Sequence, residues 1–292
     1  MVINYDDALL NCGFINIQSV RNKALEIRDL INDKQFDILS VAETWLNECD
    51  YSTISEMTPH THTFLHVPRQ GRERGGGVGI FLSKCFTEIK IVNHPRAATF
   101  EYMETNFKYK GQNFSFIVIY RCPRSNISMF FEEFEGLLES INMLAKKVFI
   151  SGDFNLWLDI QTNNNTMRFN EILVSNQLQN NVDRPTSNTG HILDLILCDS
   201  ISKLITEVHV EENRRFTSIH YLISYRIPWS REKVKKKISF RNKSEFSQSD
   251  YISFVSMKFD ELILTQCIHM RKSYCVECLI EIYNHVSKSE YD

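Results

Sequence analysis

The sequence predicts a folded protein of the α/β class, in which strands and helices alternate along the chain. Short apolar runs with the length and composition of buried strands alternate with longer stretches whose apolar residues recur at helical spacing. The 292 residues are 43% hydrophobic, which is enough apolar material for one large core. Alternation of this kind indicates helices packed on sheets, without fixing the number of layers.

The first 120 residues are predicted to contain several strands and one helix, each strand bounded by polar or turn residues. The strands are predicted at 14–17, 36–42, 78–82, 100–109 and 113–120, and the helix at 22–31. Glu43 directly follows the second strand, where a buried carboxylate needs a cation or another partner. An exposed loop glutamate is the alternative, and local sequence alone favours it.

The alternation continues in the following residues. Helices are predicted at 127–145 and 167–178, and strands at 147–150, 192–197 and 217–223. Asp194 lies inside an otherwise apolar run, so its carboxylate needs a hydrogen bond or an ion pair. His220 lies in the last predicted strand, where a core histidine is more common than a catalytic one.

The stretch 147–155 ends abruptly in polar residues and is predicted to lead into a site. Gly152 is expected to let the backbone turn as it leaves the sheet. Asp153 and Asn155 are two residues apart, so in an extended conformation their side chains point to the same side. Open α/β sheets build their sites at the carboxyl ends of strands. An ordinary turn is the alternative, since Gly, Asp and Asn are common turn residues.

Charge and cysteine content restrict the classes of partner and compartment. The formal net charge is −3 and the pI is about 6.3, so binding of nucleic acid would need a local patch. Arg69, Arg72 and Arg74 precede the glycines at 75–77 and are candidates for contact with a phosphate backbone. Eight scattered cysteines in a chain of this length predict reduced thiols and an intracellular protein. Neither a secretion signal nor a membrane-spanning stretch is predicted.

The composition changes beyond Pro228. We predict a first domain at 1–228 and, at 229–292, a basic linker followed by a helical extension. The basic run at 231–237 fits a solvated linker, a nucleic-acid contact or a nuclear-import patch. Cys275 and Cys278 have the spacing of a zinc-binding pair, but on an apolar helical pattern core packing is the more common explanation.

Taken together, the polar motifs have an order that is more specific than any one of them. The chain resembles the endonuclease/exonuclease/phosphatase superfamily, and most closely the apurinic-type endonuclease domain of non-long-terminal-repeat retrotransposons, over roughly residues 12–227. The motifs that carry this resemblance are Asn16 with 18–23, Glu43-Thr44-Trp45-Leu46, Gly75-Gly76-Gly77-Val78, Tyr120-Arg121-Cys122-Pro123, Gly152-Asp153-Phe154-Asn155, Gly190-His191-Ile192-Leu193-Asp194-Leu195 and Ser218-Ile219-His220.

The resemblance implies a fold similar to that of deoxyribonuclease I. This fold is a four-layered α/β sandwich, in which two packed β-sheets are flanked by helices and the site lies on loops at one edge. In retrotransposons such a domain precedes a linker that leads to reverse transcriptase, and the residues after 228 resemble the start of that linker. No polymerase follows in this sequence, so we expect a truncated or fragmentary copy of such an element.

The activity implied by the resemblance is metal-dependent hydrolysis of a phosphodiester. Hard oxygen ligands suit Mg²⁺, with Mn²⁺ as the alternative ion. By resemblance the metal ligands are Glu43, as the principal ligand, and Asn16 beside it. Asp153 orients and deprotonates the attacking water, and Asn155 helps to hold Asp153 and the phosphate.

The remaining site residues are also assigned by resemblance. Tyr120 hydrogen-bonds the phosphate or assists the leaving group. His220, held in one tautomer by Asp194, donates to a non-bridging oxygen as negative charge develops there. The residues expected to contact the DNA backbone are Arg72, Arg74, Arg121 and Thr186.

Three positions depart from the family pattern. Ile219 stands where the family has an aspartate, and isoleucine neither binds a cation nor accepts a hydrogen bond. Loss of such a supporting carboxylate costs on the order of 10²-fold in activity. Gln18 and Cys122 replace a usual arginine and a usual proline.

The expected function is that of a magnesium-dependent endonuclease that nicks DNA and leaves a 3′-hydroxyl, in the nucleus. A catalytically impaired retrotransposon relic, or a DNA-binding module of the same fold, is the first alternative, and Ile219 is the observation that motivates it. A lipid phosphoesterase of the same fold is the second alternative. The retrotransposon-like motifs at 120–123 and 190–194 count against it.

Overall fold

The computed structural model describes residues 9–69, 75–141, 147–202, 204–212 and 215–228. Within these ranges two six-stranded mixed sheets contain all the strands. The helices are α1 (Ala24–Lys34), α2 (Tyr51–Met57), α3 (Ile127–Ser140) and α4 (Asn164–Ser175). The strands are β1 (Leu9–Asn16), β2 (Ile38–Ala42), β3 (His62–Val67), β4 (Val78–Ser83), β5 (Thr87–Val92), β6 (Phe100–Tyr109), β7 (Gln112–Arg121), β8 (Lys147–Asp153), β9 (Leu178–Asn180), β10 (Asp194–Asp199), β11 (Thr206–Glu211) and β12 (Leu222–Pro228).

Each sheet contains one parallel pair of strands near its centre. The strand order of the first sheet is β11-β12-β1-β2-β4-β3, and β1 and β2 are parallel. The order of the second sheet is β5-β6-β7-β8-β10-β9, with β7 and β8 parallel. The central strands of the two sheets face each other, since β1 and β2 contact β8 and β7. The parallel pairs therefore bring the carboxyl ends of four strands to one edge of the sandwich.

Alternation along the strands produces the layers. In β1, Cys12 and Phe14 belong to the core between the sheets, whereas Ile15 packs with Ile27 and Leu30 of α1 on the outer face. On the other side of the molecule, α3 and α4 contact each other and pack on the second sheet through a cluster of phenylalanines. The order helices, sheet, sheet, helices confirms the predicted four-layered α/β sandwich.

Most of the predicted elements are present, with shifted ends. The helix predicted to reach residue 145 ends at Ser140, and the strand predicted at 192–197 begins only at Asp194. The short elements α2, β3, β5, β9 and β11 were not predicted. Their strands lie at or next to a sheet edge, and β5 and β11 are largely exposed, so they lack a continuous apolar run.

The last predicted strand is wrong at its start. His220 does not lie in the strand, because β12 begins at Leu222 and the residues before it bond to a neighbouring loop instead. Tyr221 N donates to Thr186 O (2.7 Å), and Asn188 N donates to Ile219 O (2.9 Å). His220 is thus carried on a loop segment that is held from both sides.

The turn predicted at Gly152 is also wrong, because β8 continues through Asp153. The glycine is required by a close approach to the neighbouring strand. A Cβ atom at this position would lie 2.2 Å from Ile119 O, which is part of β7. Gly152 therefore permits the close pairing of β7 and β8 directly before the polar residues at their ends.

The Gly152→Ala substitution is expected to lower the free energy of unfolding by about 3 kcal/mol or more, because the added methyl group forces β7 and β8 apart. Urea unfolding of the two proteins measures this difference. Gly136→Ala is the matched control, since Gly136 lies in α3 with open space around its Cα. This control is expected to gain about 0.5–1 kcal/mol. A Gly152→Ala protein as stable as the parent would contradict this account.

Candidate active site

Four polar residues form a row across the second sheet. The register pairs Glu101 of β6 with Tyr120 of β7, Tyr120 with Asp153 of β8, and Asp153 with Asp194 of β10. Paired residues on adjacent strands point to the same face of a sheet. The row therefore brings one phenol and three carboxylates to a single face at the edge of the sandwich.

Asn16 and Glu43 add to this row from the first sheet. Asn16 is the last residue of β1 and is buried, and Glu43 follows β2 with a left-handed φ of +53°. The Asn16 amide nitrogen Nδ2 donates to Glu43 Oε1 (2.8 Å) and to Asp153 Oδ2 (2.8 Å). One amide group thus uses both of its hydrogens to join carboxylates from different sheets.

The Glu43 side chain is fixed from a second direction. Trp45 Nε1 donates to Glu43 Oε2 (3.1 Å), and Trp45 N donates to Gly76 O (2.9 Å). Gly77 has a φ of +84°, and a Cβ there would lie 2.5 Å from Thr44 Oγ1. The glycines at 76 and 77 therefore hold the loop that carries Glu43, a structural role that was not predicted from the sequence.

His220 and Asp194 form a buried pair. His220 Nδ1 lies 2.9 Å from Asp194 Oδ2 and 3.1 Å from Oδ1. With Nδ1–H bonded to Asp194, the Nε2 atom points the other way and lies 3.7 Å from Asp153 Oδ2. Thr186 Oγ1 accepts hydrogen bonds from Leu193 N and Asp194 N, both at 3.0 Å, and so fixes the start of β10.

The loop of His220 is tied to β1. Ser218 Oγ donates to Asn16 O (2.7 Å), and His220 N donates to Ser218 Oγ (3.2 Å). Lys23 Nζ donates to the carbonyls of Ile17 (2.6 Å) and Thr217 (3.2 Å). Ser218 and Lys23 therefore position the histidine against the end of β1. Sequence reasoning did not assign either residue to the site, because each acts through backbone groups.

The electrostatics of the site follow from burial and from crowded carboxylates. Burial and the charge of Asp194 raise the pKa of Asp153 to about 7, against the opposing effects of His220 and Asn16. Burial by itself lowers the pKa of His220, but the carboxylates of Asp194, Asp153 and Glu43 outweigh it and raise this pKa to about 9. Asp153 therefore exchanges a proton near neutral pH, while His220 is a proton donor.

Asn155 does not continue the strand, so the extended conformation considered from the sequence is wrong at this residue. Its φ is +48°, a left-handed conformation that asparagine tolerates. Its side chain nevertheless meets that of Asp153, since Asn155 Nδ2 donates to Asp153 Oδ2 (3.1 Å) and Asn155 N donates to Asp153 Oδ1 (2.9 Å). The tight turn, and not extended geometry, brings the two side chains together.

Arg121 and Thr186, both predicted to contact DNA, are buried. The guanidinium of Arg121 donates to the carbonyls of Phe154 (3.3 Å), Asn155 (3.2 Å) and Ser125 (3.1 Å). It thus braces the turn after Asp153, and DNA contact by either residue stays a prediction. Arg72 and Arg74, the other predicted DNA contacts, lie outside the described residues.

Tyr120 lies in the row between Glu101 and Asp153 and is almost fully buried. Burial is the largest cause that raises the pKa of its hydroxyl, and the charges of Glu43 and Asp153 add to it. The phenol therefore stays protonated throughout the physiological pH range. In this state it can donate a hydrogen bond to an anionic oxygen.

The donor set at this edge fits a hard divalent cation. Glu43, Asp153 and Asp194 are three carboxylates gathered around one histidine, and carboxylate oxygen is the ligand type that Mg²⁺ and Mn²⁺ prefer. Glu43 is only partly buried and so remains reachable from solvent. Ligand atoms of Asp153, Asp194 and His220 also lie within 4.8 Å of one another, although the histidine nitrogen Nδ1 already bonds Asp194.

Two of the departures from the family pattern contact each other. Ile219 N donates to Gln18 Oε1 (3.2 Å), and Gln18 N donates to Asn16 Oδ1 (3.1 Å). The amide oxygen of Asn16 is therefore engaged by the main chain, and its nitrogen faces the carboxylates. Asn16 consequently orients Glu43, which is the principal candidate for a metal ligand. Direct binding of a metal by Asn16 stays a prediction.

A family model described as the Endonuclease/Exonuclease/phosphatase family matches residues 10–218, which is more than half of the chain. The chain belongs to this family. Membership supports hydrolysis of phosphodiesters in general, and a divalent metal as the cofactor type that enzymes of the family generally use. No curated protein matches the chain.

Several solved structures have the same fold at low sequence identity. The endonuclease domain of TRAS1, a telomere-specific non-LTR retrotransposon, has a TM-score of 0.61 and 14% identity, over 76% of this chain and 100% of that one. The AP endonuclease LMAP from Leishmania major has a TM-score of 0.60 and 11% identity, over 77% and 89%. The 3′ phosphatase NExo from Neisseria, bound to a product DNA hairpin, has a TM-score of 0.53 and 14% identity, over 75% of this chain and 100% of that one.

The comparisons confirm the superfamily, and the TRAS1 domain agrees with the predicted resemblance to retrotransposon endonucleases. The predicted C-terminal linker and extension at 229–292 lie outside the described residues. Among the described helices, none has the length and apolar character needed to span a bilayer.

The Asp194→Asn substitution is expected to lower the pKa of His220 by more than about one unit. The change removes the main influence that raises this pKa, while burial, which lowers it, remains. Titration of the His220 ring protons by NMR in the presence of chelator measures the effect. His191, which pairs with Asp159 at the surface, is the internal control. An unchanged His220 pKa would contradict the proposed pairing.

Proposed function

We propose that the chain is a divalent-metal-dependent endonuclease that nicks DNA. The observation that carries this proposal is the junction of Glu43, Asn16 and Asp153, where a candidate metal ligand and a candidate base from two sheets meet beside His220. Mg²⁺ is the proposed ion, with Mn²⁺ as the alternative, held chiefly by Glu43. When bound, such an ion supplies charge neutralisation at the phosphate.

Asp153 acts as the general base in this proposal. Its pKa of about 7 lets it accept a proton from an attacking water at neutral pH, and the amide of Asn155 holds one of its oxygens. The water oxygen forms the new bond to phosphorus while the bond from phosphorus to the 3′-oxygen breaks. The leaving oxygen takes up a proton, so the products are a 3′-hydroxyl and a 5′-phosphate.

His220 and Tyr120 stabilise the negative charge that develops on the phosphate. Asp194 accepts the hydrogen on Nδ1 of His220, so the protonated ring presents its Nε2–H as a donor. The phenol of Tyr120 is a second donor in the same row of the sheet. Fixed donors aimed at developing charge contribute strongly in a buried site.

DNA is proposed as the substrate on the basis of fold and family. Structures of similar fold include a retrotransposon endonuclease domain and a 3′ phosphatase with bound DNA. We propose contact with the phosphate backbone through Arg72 and Arg74, while the buried Arg121 and Thr186 act indirectly by fixing the turn after Asp153 and the start of β10. A retrotransposon origin, association with a reverse transcriptase and action in the nucleus belong to the same proposal.

Ile219 supports a second candidate function, that of a catalytically impaired member of the family that retains DNA binding. Its side chain is 40% exposed and offers no ligand atom where the family has a carboxylate. This candidate predicts the same fold and the same network around Asn16. It differs in the rate of cleavage.

Nicking of supercoiled plasmid by the full chain tests the proposal. We expect nicking in Mg²⁺ or Mn²⁺, none with chelator, and a loss of roughly 10²–10⁴-fold in Asp153→Asn because the general base is removed. Glu171→Gln, an exposed carboxylate on α4, is the control that keeps the parent rate. Ile219→Asp is expected to raise the rate by roughly 10–100-fold.

Two outcomes separate the candidates. Cleavage by Ile219→Asp, with none by the folded parent chain, favours the impaired member. No cleavage by either protein with any divalent ion, when both are folded, would refute the endonuclease proposal.

A further inference from the structure

A large aromatic side chain lies exposed close to the candidate active site. Trp157 is 52% exposed and stacks face to face on His191, with ring centroids 4.3 Å apart and an angle of 5° between the planes. Because His191 covers one face of the indole, the exposed area belongs largely to the other face and the ring edge. The mechanism described above uses neither residue.

The stacked pair is held in place by hydrogen bonds within the protein. His191 Nδ1 lies 2.9 Å from Asp159 Oδ2, and Ile192 N donates to Asp159 Oδ1 (3.1 Å). The main chain of Trp157 is fixed as well, since Thr166 Oγ1 donates to its carbonyl (3.1 Å). An aromatic face fixed in this way loses little conformational freedom when a planar partner binds.

The position of Trp157 connects it to the site of hydrolysis. Trp157 is two residues beyond Asn155, so their Cα atoms lie at most about 7.6 Å apart. The indole also borders a groove of about 170 Å³ whose wall includes Asn155, Asn163 and Asn165. The Nδ2 hydrogens of Asn155 already bond Arg121 O and Asp153 Oδ2. Amide side chains such as those of Asn163 and Asn165 can donate and accept hydrogen bonds, as the edges of nucleobases do.

We propose that Trp157, backed by His191, stacks on one unpaired nucleobase next to the scissile phosphate. This inference rests on the proposed function and adds a substrate class to it, namely DNA with an unpaired or extruded base near the cleaved bond. A base inside a duplex has both faces covered by its neighbours, whereas an unpaired base offers a free face to the indole. Stacking on an aromatic side chain accepts any base, so the platform selects for unpaired structure and not for sequence.

Binding of a fluorescein-labelled 12-nucleotide single strand, measured by fluorescence anisotropy, tests this inference. The full chain is used with chelator so that no strand is cut, and a fully paired, blunt-ended duplex of the same sequence is the comparison probe. Trp157→Ala is expected to weaken binding of the single strand by about 5-fold to 150-fold, equivalent to about 1–3 kcal/mol, and to change duplex binding less than twofold. Trp157→Phe is expected to keep most of the affinity.

Two controls make the test specific to stacking. Ile201→Ala removes another exposed apolar side chain, which lies just after the end of β10. This substitution is expected to leave binding unchanged. A single strand of the same length that lacks all of its bases is the second control. On this strand the parent and Trp157→Ala proteins are expected to bind equally, because the indole has no base to contact.

Three results would overturn the inference. The first is equal affinity of Trp157→Ala and the parent for the single strand. The second is a loss of affinity in Trp157→Ala that is the same for single strand and duplex. The third is that the parent does not bind the single strand. The outcome is independent of the plasmid assay. If the parent nicks plasmid DNA but Trp157→Ala binds the single strand as tightly as the parent, only the stacking proposal is refuted. If Trp157→Ala weakens single-strand binding but the parent cleaves no DNA, only the endonuclease proposal is refuted.

Discussion

The geometry of the site depends on one buried amide. Asn16 donates one hydrogen to Glu43 and one to Asp153, and these carboxylates come from different sheets. Without a donor between them the two negative charges would repel each other in a buried setting, which is costly. The oxygen of the same amide accepts a hydrogen bond from Gln18 N, so both the nitrogen and the oxygen of the Asn16 side chain are engaged. The packing of the two sheets and the assembly of the polar site are therefore coupled at this residue.

The sheets bring the remaining groups to this amide through their register. Gly152 allows β7 and β8 to approach closely, and the same register continues into the row that contains Tyr120, Asp153 and Asp194. Two carboxylates directly opposite each other on neighbouring strands are unfavourable. His220 relieves this repulsion by bonding Asp194 and facing Asp153. Its position on a loop, tied to β1 through Ser218, completes the site from outside the sheet.

Much of the fold was predictable from the sequence, because the central strands are long apolar runs and the helices have clear periodicity. The order of the polar motifs identified Asn16, Glu43, Asp153, Asp194 and His220 as a set. The roles of Gly152, Asn155 and Arg121 were not predictable, because they depend on a close approach, a left-handed turn and three carbonyl partners that only the tertiary structure supplies. Trp157 was missed for the same reason, since its importance lies in the stack with His191, 34 positions away.

The stability of the Asn16→Asp protein, with and without Mn²⁺, tests the central role of this amide most directly. In chelator we expect the free energy of unfolding to fall by about 3 kcal/mol or more, because a donor is replaced by a third carboxylate at the junction. With Mn²⁺ we expect much of this loss to be recovered, since a cation then compensates the three charges. Stability equal to that of the parent in chelator, or a loss that Mn²⁺ leaves unchanged, would contradict the account.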